Sequence, residues 1–96
     1  MSEDPRRLRD LVSVGKSMEG DFHRLGIRTV AELALADPAE LYDRIAALDG
    51  VRHDPCVLDT YHAAVAQARD PMLPPEQRQW FWWSRKRKAE AAAHRG

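Results

Sequence analysis

Four times in this chain an aspartate stands directly before a proline: at Asp4-Pro5, Asp37-Pro38 and Asp54-Pro55, each ahead of a stretch with apolar residues at helical spacing, and at Asp70-Pro71, where further prolines follow. An aspartate carboxylate accepts the orphan backbone N–H groups of a first helical turn, and proline brings a preset φ to a position whose own N–H would have no helical partner. Each of the first three pairs therefore marks a helix start. Apolar residues follow each start at helical spacing: Leu8, Leu11 and Val12 after the first, Leu41, Ile45 and Leu48 after the second, and Val57, Tyr61, Ala64, Val65 and Ala68 after the third. Only ten of the 96 residues are β-branched and no stretch alternates apolar with polar, so strands lack both composition and period. The chain reads as all-α, a single compact domain of five or six short helices.

Between these starts the punctuation is equally helical. The first helix should stop at Ser13-Val14-Gly15, and a second should carry Met18, Phe22 and Leu25 on one face and end at Gly26 as a left-handed cap. Thr29 with Glu32 forms a capping box for a short third helix around Val30, Leu33 and Ala34. The fourth helix runs from Asp37-Pro38 to Gly50, and the fifth begins at Asp54-Pro55. Pro71, Pro74 and Pro75 then interrupt the chain, and Pro75-Glu76 is read as the start of a last helix through Trp80. Beyond residue 84 the sequence RKRKAEAAAHRG has no large apolar side chain to bury. Residues 1–84 are therefore expected to form the domain and residues 85–96 a basic, Ala-rich tail that frays.

Ninety-six residues make one domain with a thin core, which excludes a large multi-domain enzyme. No strictly apolar run exceeds four residues, so no membrane span is expected, and the opening MSEDPRRLRD suggests a cytoplasmic protein. A lone Cys56 excludes an internal disulfide framework and a Cys-rich zinc site. The 15 basic and 15 acidic residues are unevenly placed: residues 1–30 carry +1, residues 31–60 carry −5 and residues 61–96 carry +4. Neutrality argues against a protein that coats polyanions, while a basic end permits a local footprint or merely a solvated face.

In LRDLVSVGKSMEGDFHRLGIRTVAEL a helix, a glycine-containing turn, a second helix, a Leu-Gly-Ile stop and a new cap succeed one another. The pattern resembles the helix-hairpin-helix, a DNA-binding element that does not read sequence. Its turn presents backbone N–H groups beside the positive end of a helix, and an oxyanion is the natural ligand of such a corner. Ser13, Val14 and Gly15 would supply the backbone, Lys16 a charge, Ser17 a hydroxyl, and Arg28 a neighbouring cation. The plainer reading is that two helices need some turn and glycine is the commonest turn residue.

The order of hairpin, LGI, ADPAELYDRI, GVRHDPCVLDTY and a late tryptophan cluster, over roughly residues 8 to 86, is similar to the small bacterial helix-hairpin-helix proteins of the pathogenicity-locus family. The resemblance implies a compact helical core built on the hairpin, of the SAM-like or tandem-hairpin kind. It also implies DNA as partner, some relatives labelled with mitomycin resistance, and no established enzymatic activity; neither catalysis nor a cofactor is expected. A typical hairpin reads Pro-Gly-x-Gly where this chain has Val12, Ser13, Val14 and Gly15, and an alanine usually stands where this chain has Glu19. Residues 41–58 echo the hairpin, or form an ordinary helix connection in which Asp49 and Asp54 disfavour phosphate.

Two further features carry chemistry. Cys56 lies at a helix start near His53, where the helix's positive end should lower its pKa; the bland alternative is a small packing residue. With His53, Asp59 and His62 it would make a metal site only through unusual folding, so no metal is expected. In QWFWWSRKRK, Trp82 with Arg85, Lys86, Arg87 and Lys88 forms an auxiliary aromatic and basic set that suits unpaired bases. Alternatively Trp80 and Trp83 close the core while Phe81 and Trp82 pack beneath the proline loop, or the cluster anchors a partner protein. The expectation is a non-catalytic DNA-binding accessory protein, its rival a protein-interaction module that keeps the fold without DNA contacts.

Overall fold

A computed structural model describes residues 5–95. The chain passes through a single 3₁₀ turn, Leu8–Asp10, then α1 (Lys16–Arg24), α2 (Val30–Ala34), α3 (Pro38–Asp49) and α4 (Pro55–Arg69). A second 3₁₀ turn, Pro75–Arg78, precedes α5 (Trp80–Arg95). No strand occurs among the described residues.

Local chemistry sets three helix starts as the sequence requires. Thr29 Oγ1 accepts the Glu32 N–H at 3.1 Å while Glu32 Oε1 accepts the N–H groups of Thr29 and Arg28 at 3.1 and 2.8 Å. Those bonds, Arg28's first, hold the Glu32 carboxyl below its ordinary range. Asp37 accepts from Ala39 N–H at 3.0 Å, and Asp54 from Cys56 N–H at 2.8 Å. Gly26 and Gly50 end α1 and α3 at φ +82° and +69°, conformations open to glycine at no steric cost.

Helix α4 is the centre of the molecule. Helices α2 and α3 pack against it, and α5 and the second 3₁₀ turn pack on it as well. Its inward stripe is Tyr61, Ala64, Val65 and Ala68, all buried, and the small alanines let neighbouring backbones approach closely. Phe22 of α1 meets Tyr61 with ring centroids 5.4 Å apart, and Leu8, Val30, Leu33, Leu41 and Ile45 complete the core.

Several expectations are corrected. The first helix is only a 3₁₀ turn; Asp4 lies outside the described residues. Leu8, Leu11 and Val14 are all buried at three-residue spacing, the period of a 3₁₀ helix. Asp10 closes the turn by accepting the Arg7 N–H at 2.7 Å. Buried Gln67 then takes over Val12, its Oε1 accepting the Val12 N–H at 2.9 Å and its Nε2 donating to the Val12 carbonyl at 3.0 Å. An amide that satisfies both backbone groups of Val12 removes the need for helix there. The last helix begins at Trp80 rather than Pro75, because Gln79 is extended (φ −91°, ψ 134°). Helix α5 then continues through Arg95. Leu48, expected inward, is 57% exposed at the end of α3.

Arginines finish the helices at their other ends. Arg69 donates to the carbonyls of Ala34 and Ala36, both at 2.8 Å, and Arg44 to Leu25 at 3.1 Å, while Arg78 holds the loop carbonyl of Leu73 at 2.8 Å. Carbonyls at helix ends have no intrahelical donor, so cations there satisfy both the hydrogen bond and the helix dipole. These guanidinium groups serve the fold.

Candidate nucleic-acid interface

The corner before α1 has the left-handed step of a glycine turn without the glycine. Ser13 sits at φ +72°, in the left-handed region that favours glycine. Gly15 follows as an extended N-cap (φ −92°, ψ −172°) with no side chain to cap the helix. Gly15, Lys16 and Ser17 are exposed, so the first turn of α1 opens to solvent with its positive dipole end uncapped. Val14 does not belong to this set: its side chain is buried and its N–H donates to the Leu11 carbonyl at 3.2 Å. Replacing Ser13 by glycine is expected to stabilise the fold by about 0.5 kcal/mol, because relief of a left-handed strain of about 1–2 kcal/mol outweighs the added unfolded-state entropy. Urea denaturation reads this directly; a destabilised Ser13→Gly protein would contradict the assigned turn.

One turn along α1, half-buried Glu19 borders two adjoining grooves. Arg7, Arg9 and Asp10 line the first; Arg7, Leu8, Arg28 and Thr29 line the second. Arg28 is thus brought beside Arg7, and Arg9 stands on the neighbouring groove. No ion pair among the described residues engages Lys16, Arg7, Arg9 or Arg28. Sequence reasoning missed Arg7 and Arg9, although the run RRLR was the available signal.

The basic run on α5 is a separate surface, and part of it is structural. Arg87 grips the fully buried carboxylate of Asp59 through Nε to Oδ1 at 2.9 Å and Nη2 to Oδ2 at 3.1 Å, so it is not a phosphate contact. That grip raises the guanidinium's pKa. Trp83 is half-buried, its indole N–H donating to the Gln77 carbonyl at 2.8 Å and its ring stacked on His62 at 5.4 Å. Trp80, expected in the core, is 38% exposed, and Phe81, expected beneath the proline loop, is 44% exposed. Four bulky rings in consecutive positions surround a helix, and α4 can cover only one side of it. Asp59 and His62, which meet α5, project from a different face of α4 than Tyr61, which meets α1. Lys16 and the run Arg85 to Lys88 therefore belong to two surfaces.

The surroundings of Cys56 disfavour the thiolate. The Asp54 side chain, by a hydrogen bond, then burial, then the charges of Asp54 and Asp59, push the Cys56 thiol up rather than down. The expected lowering fails because the capping carboxylate outweighs the helix end. Cys56 is expected to label slowly with iodoacetamide at pH 7 and to quicken only in alkali, and fast labelling of the folded protein would overturn that. Burial lowers the pKa of His62. Near Gly50, Asp49 pairs with Arg24 and, at 2.7 Å, with His53 Nε2, and Arg24 foremost holds its carboxyl below the usual range. This second corner is acidic and internally paired. Among the described residues no group of three His, Cys, Asp or Glu side chains is placed to hold a metal ion.

Comparison with known proteins identifies the family of this chain. The model of the pathogenicity-locus family (Cdd1) matches residues 2–89. The chain belongs to that family. Within curated proteins it is 45% identical over 87 residues to the mitomycin resistance protein McrB of Streptomyces lavendulae, covering 91% of this chain and 79% of that protein. No solved structure matches it.

Proposed function

We propose that this family member is a non-catalytic accessory protein that binds DNA through its phosphates, without base preference, and serves in mitomycin resistance. The resistance part rests on the name of its Streptomyces relative. The DNA part rests on one observation: the uncapped, solvent-open first turn of α1 at Gly15, Lys16 and Ser17. Backbone donors and a helix end suit an oxyanion and carry no means of reading a base edge. Arg7, Arg9 and Arg28 add cations around Glu19, one turn along α1. Such a surface reaches few phosphates, so affinity is modest and falls with salt by about 0.9 per contacted phosphate in a log–log plot.

Fluorescence anisotropy with duplexes of unrelated sequence at two salt concentrations tests this. Lys16→Glu is expected to weaken every duplex equally, by about tenfold or more, since it removes one charge contact and adds a repulsion. Indifference to that substitution and to salt would sink the corner mechanism.

A second reading, a protein-interaction module, is favoured by Leu48 and Val51, which are 57% and 58% exposed on either side of Gly50. Val51 also lines a shallow groove with Tyr42, Ala46 and Ala47. Absence of binding to any DNA at low salt would select this reading.

A further inference from the structure

The solvent face of α5 alternates rings with cations. Residues four and seven apart on a helix share a face. Phe81, Arg85 and Lys88 make one such row, and Trp82 with Lys86 makes the row beside it. The Arg85 guanidinium lies 5.4 Å over the Phe81 ring, and the Lys86 ammonium 5.8 Å from Trp82 and 5.2 Å from Trp83. Trp80 meets Phe81 edge-on at 6.1 Å and carries the aromatic surface past the start of the helix. Along this stretch the one acidic group is Glu90, 3.9 Å from Lys86.

We propose that this face, Trp80, Phe81 and Trp82 with Arg85, Lys86 and Lys88, binds single-stranded nucleic acid by stacking unpaired bases on the rings while the cations hold the phosphates. Both halves of the surface decide the ligand. An acidic peptide would engage the cations and leave the ring faces wet; an apolar protein surface would bury the rings and strand three cations without partners. An unpaired strand offers flat π-faces and phosphates together. Position supports the assignment, because Trp83 and Arg87 are tied to His62 and Asp59 of α4 and Ser84 is buried, while Trp80, Phe81, Arg85, Lys86 and Lys88 are exposed and Trp82 is half-buried at their edge. The proposal is built on residues other than the corner before α1 and stands apart from it.

All three tryptophans of the chain lie in this segment, so intrinsic fluorescence reports on it directly. The full-length protein is titrated with oligodeoxythymidylate and, separately, with an abasic phosphodiester chain of equal length. Saturable quenching by the oligothymidylate, at least about fivefold tighter binding than to the abasic chain, and at least about fivefold loss in Phe81→Ala are expected. Phe81 is exposed, so circular dichroism should show Phe81→Ala folded; Arg85→Ala, tested beside it, is expected to weaken both probes. In a parallel arm, Phe81→Ala keeps wild-type affinity for a blunt duplex. Loss of duplex binding by wild type would defeat the corner reading and leave this one standing if the oligothymidylate still quenches. Equal affinity for the base-bearing and abasic chains, or an unchanged Phe81→Ala, would overturn the stacking proposal.

Discussion

Replacing Arg87 by alanine is expected to destabilise the fold by about 3 kcal/mol, the low end of the range for stripping the partner from a buried ion, because Arg87 itself still touches water. Asp59 is 0% exposed and the side chain of Arg87 35% exposed, with two near-parallel N–H···O bonds joining them across α4 and α5. Deleting the guanidinium leaves the Asp59 carboxylate without the cation that pairs with it. Removing both partners removes the stranded charge, so Asp59→Ala/Arg87→Ala should lose less than the sum of the single variants. Urea denaturation of the three variants gives the comparison. A loss below about 1 kcal/mol in Arg87→Ala would mean that the pair behaves as a surface ion pair. For a domain with total stability of about 5–15 kcal/mol, the expected loss is a large share.

Arg87 also marks the limit of what the sequence can say. A run reading RKRK looks like one electrostatic feature, yet its third member is committed to an aspartate 28 residues earlier. Nothing local to either residue announces that pairing. The features that were legible are those whose partners lie within a turn: the Thr29 and Glu32 box, the Asp37 and Asp54 caps before proline, the left-handed Gly26 and the end of α3 at Gly50. The features that were not legible depend on distant groups. Gln67 reaches 55 residues back to Val12 and holds a turn where a helix is expected. Trp80 carries a core residue's composition but sits where the neighbouring helix does not reach. Ser13 illustrates a third case, in which the pattern reads as a departure while the backbone keeps the glycine conformation. For the candidate site, Gly15, Lys16, Ser17 and Arg28 were named from sequence, whereas Arg7 and Arg9 needed the fold to bring them to the grooves beside Glu19.

Phe22→Ala is expected to be the most damaging single substitution, at about 3–5 kcal/mol for a buried aromatic cut to alanine. Its consequence should fall on α1 before the rest. A nine-residue helix is marginal by itself, and Gly20 within it costs about 1 kcal/mol relative to alanine. Phe22 is the one fully buried residue of that helix, and its ring contact with Tyr61 joins α1 to α4. Without the ring, the amides of α1 should exchange with solvent far sooner than those of α4, while α4 and α5 keep the Asp59 and Arg87 clasp. Function should divide the same way. Duplex affinity at the Gly15, Lys16 and Ser17 corner should fall with the undocked helix, because free N–H groups bind an oxyanion only while the turn holds them aligned. Tryptophan quenching by oligothymidylate should persist at temperatures where α4 and α5 remain folded. Hydrogen exchange followed by mass spectrometry reads the first effect and anisotropy the second. If Phe22→Ala kept full duplex affinity although α1 exchanged freely, the phosphate contacts would have to lie elsewhere than the first turn of α1.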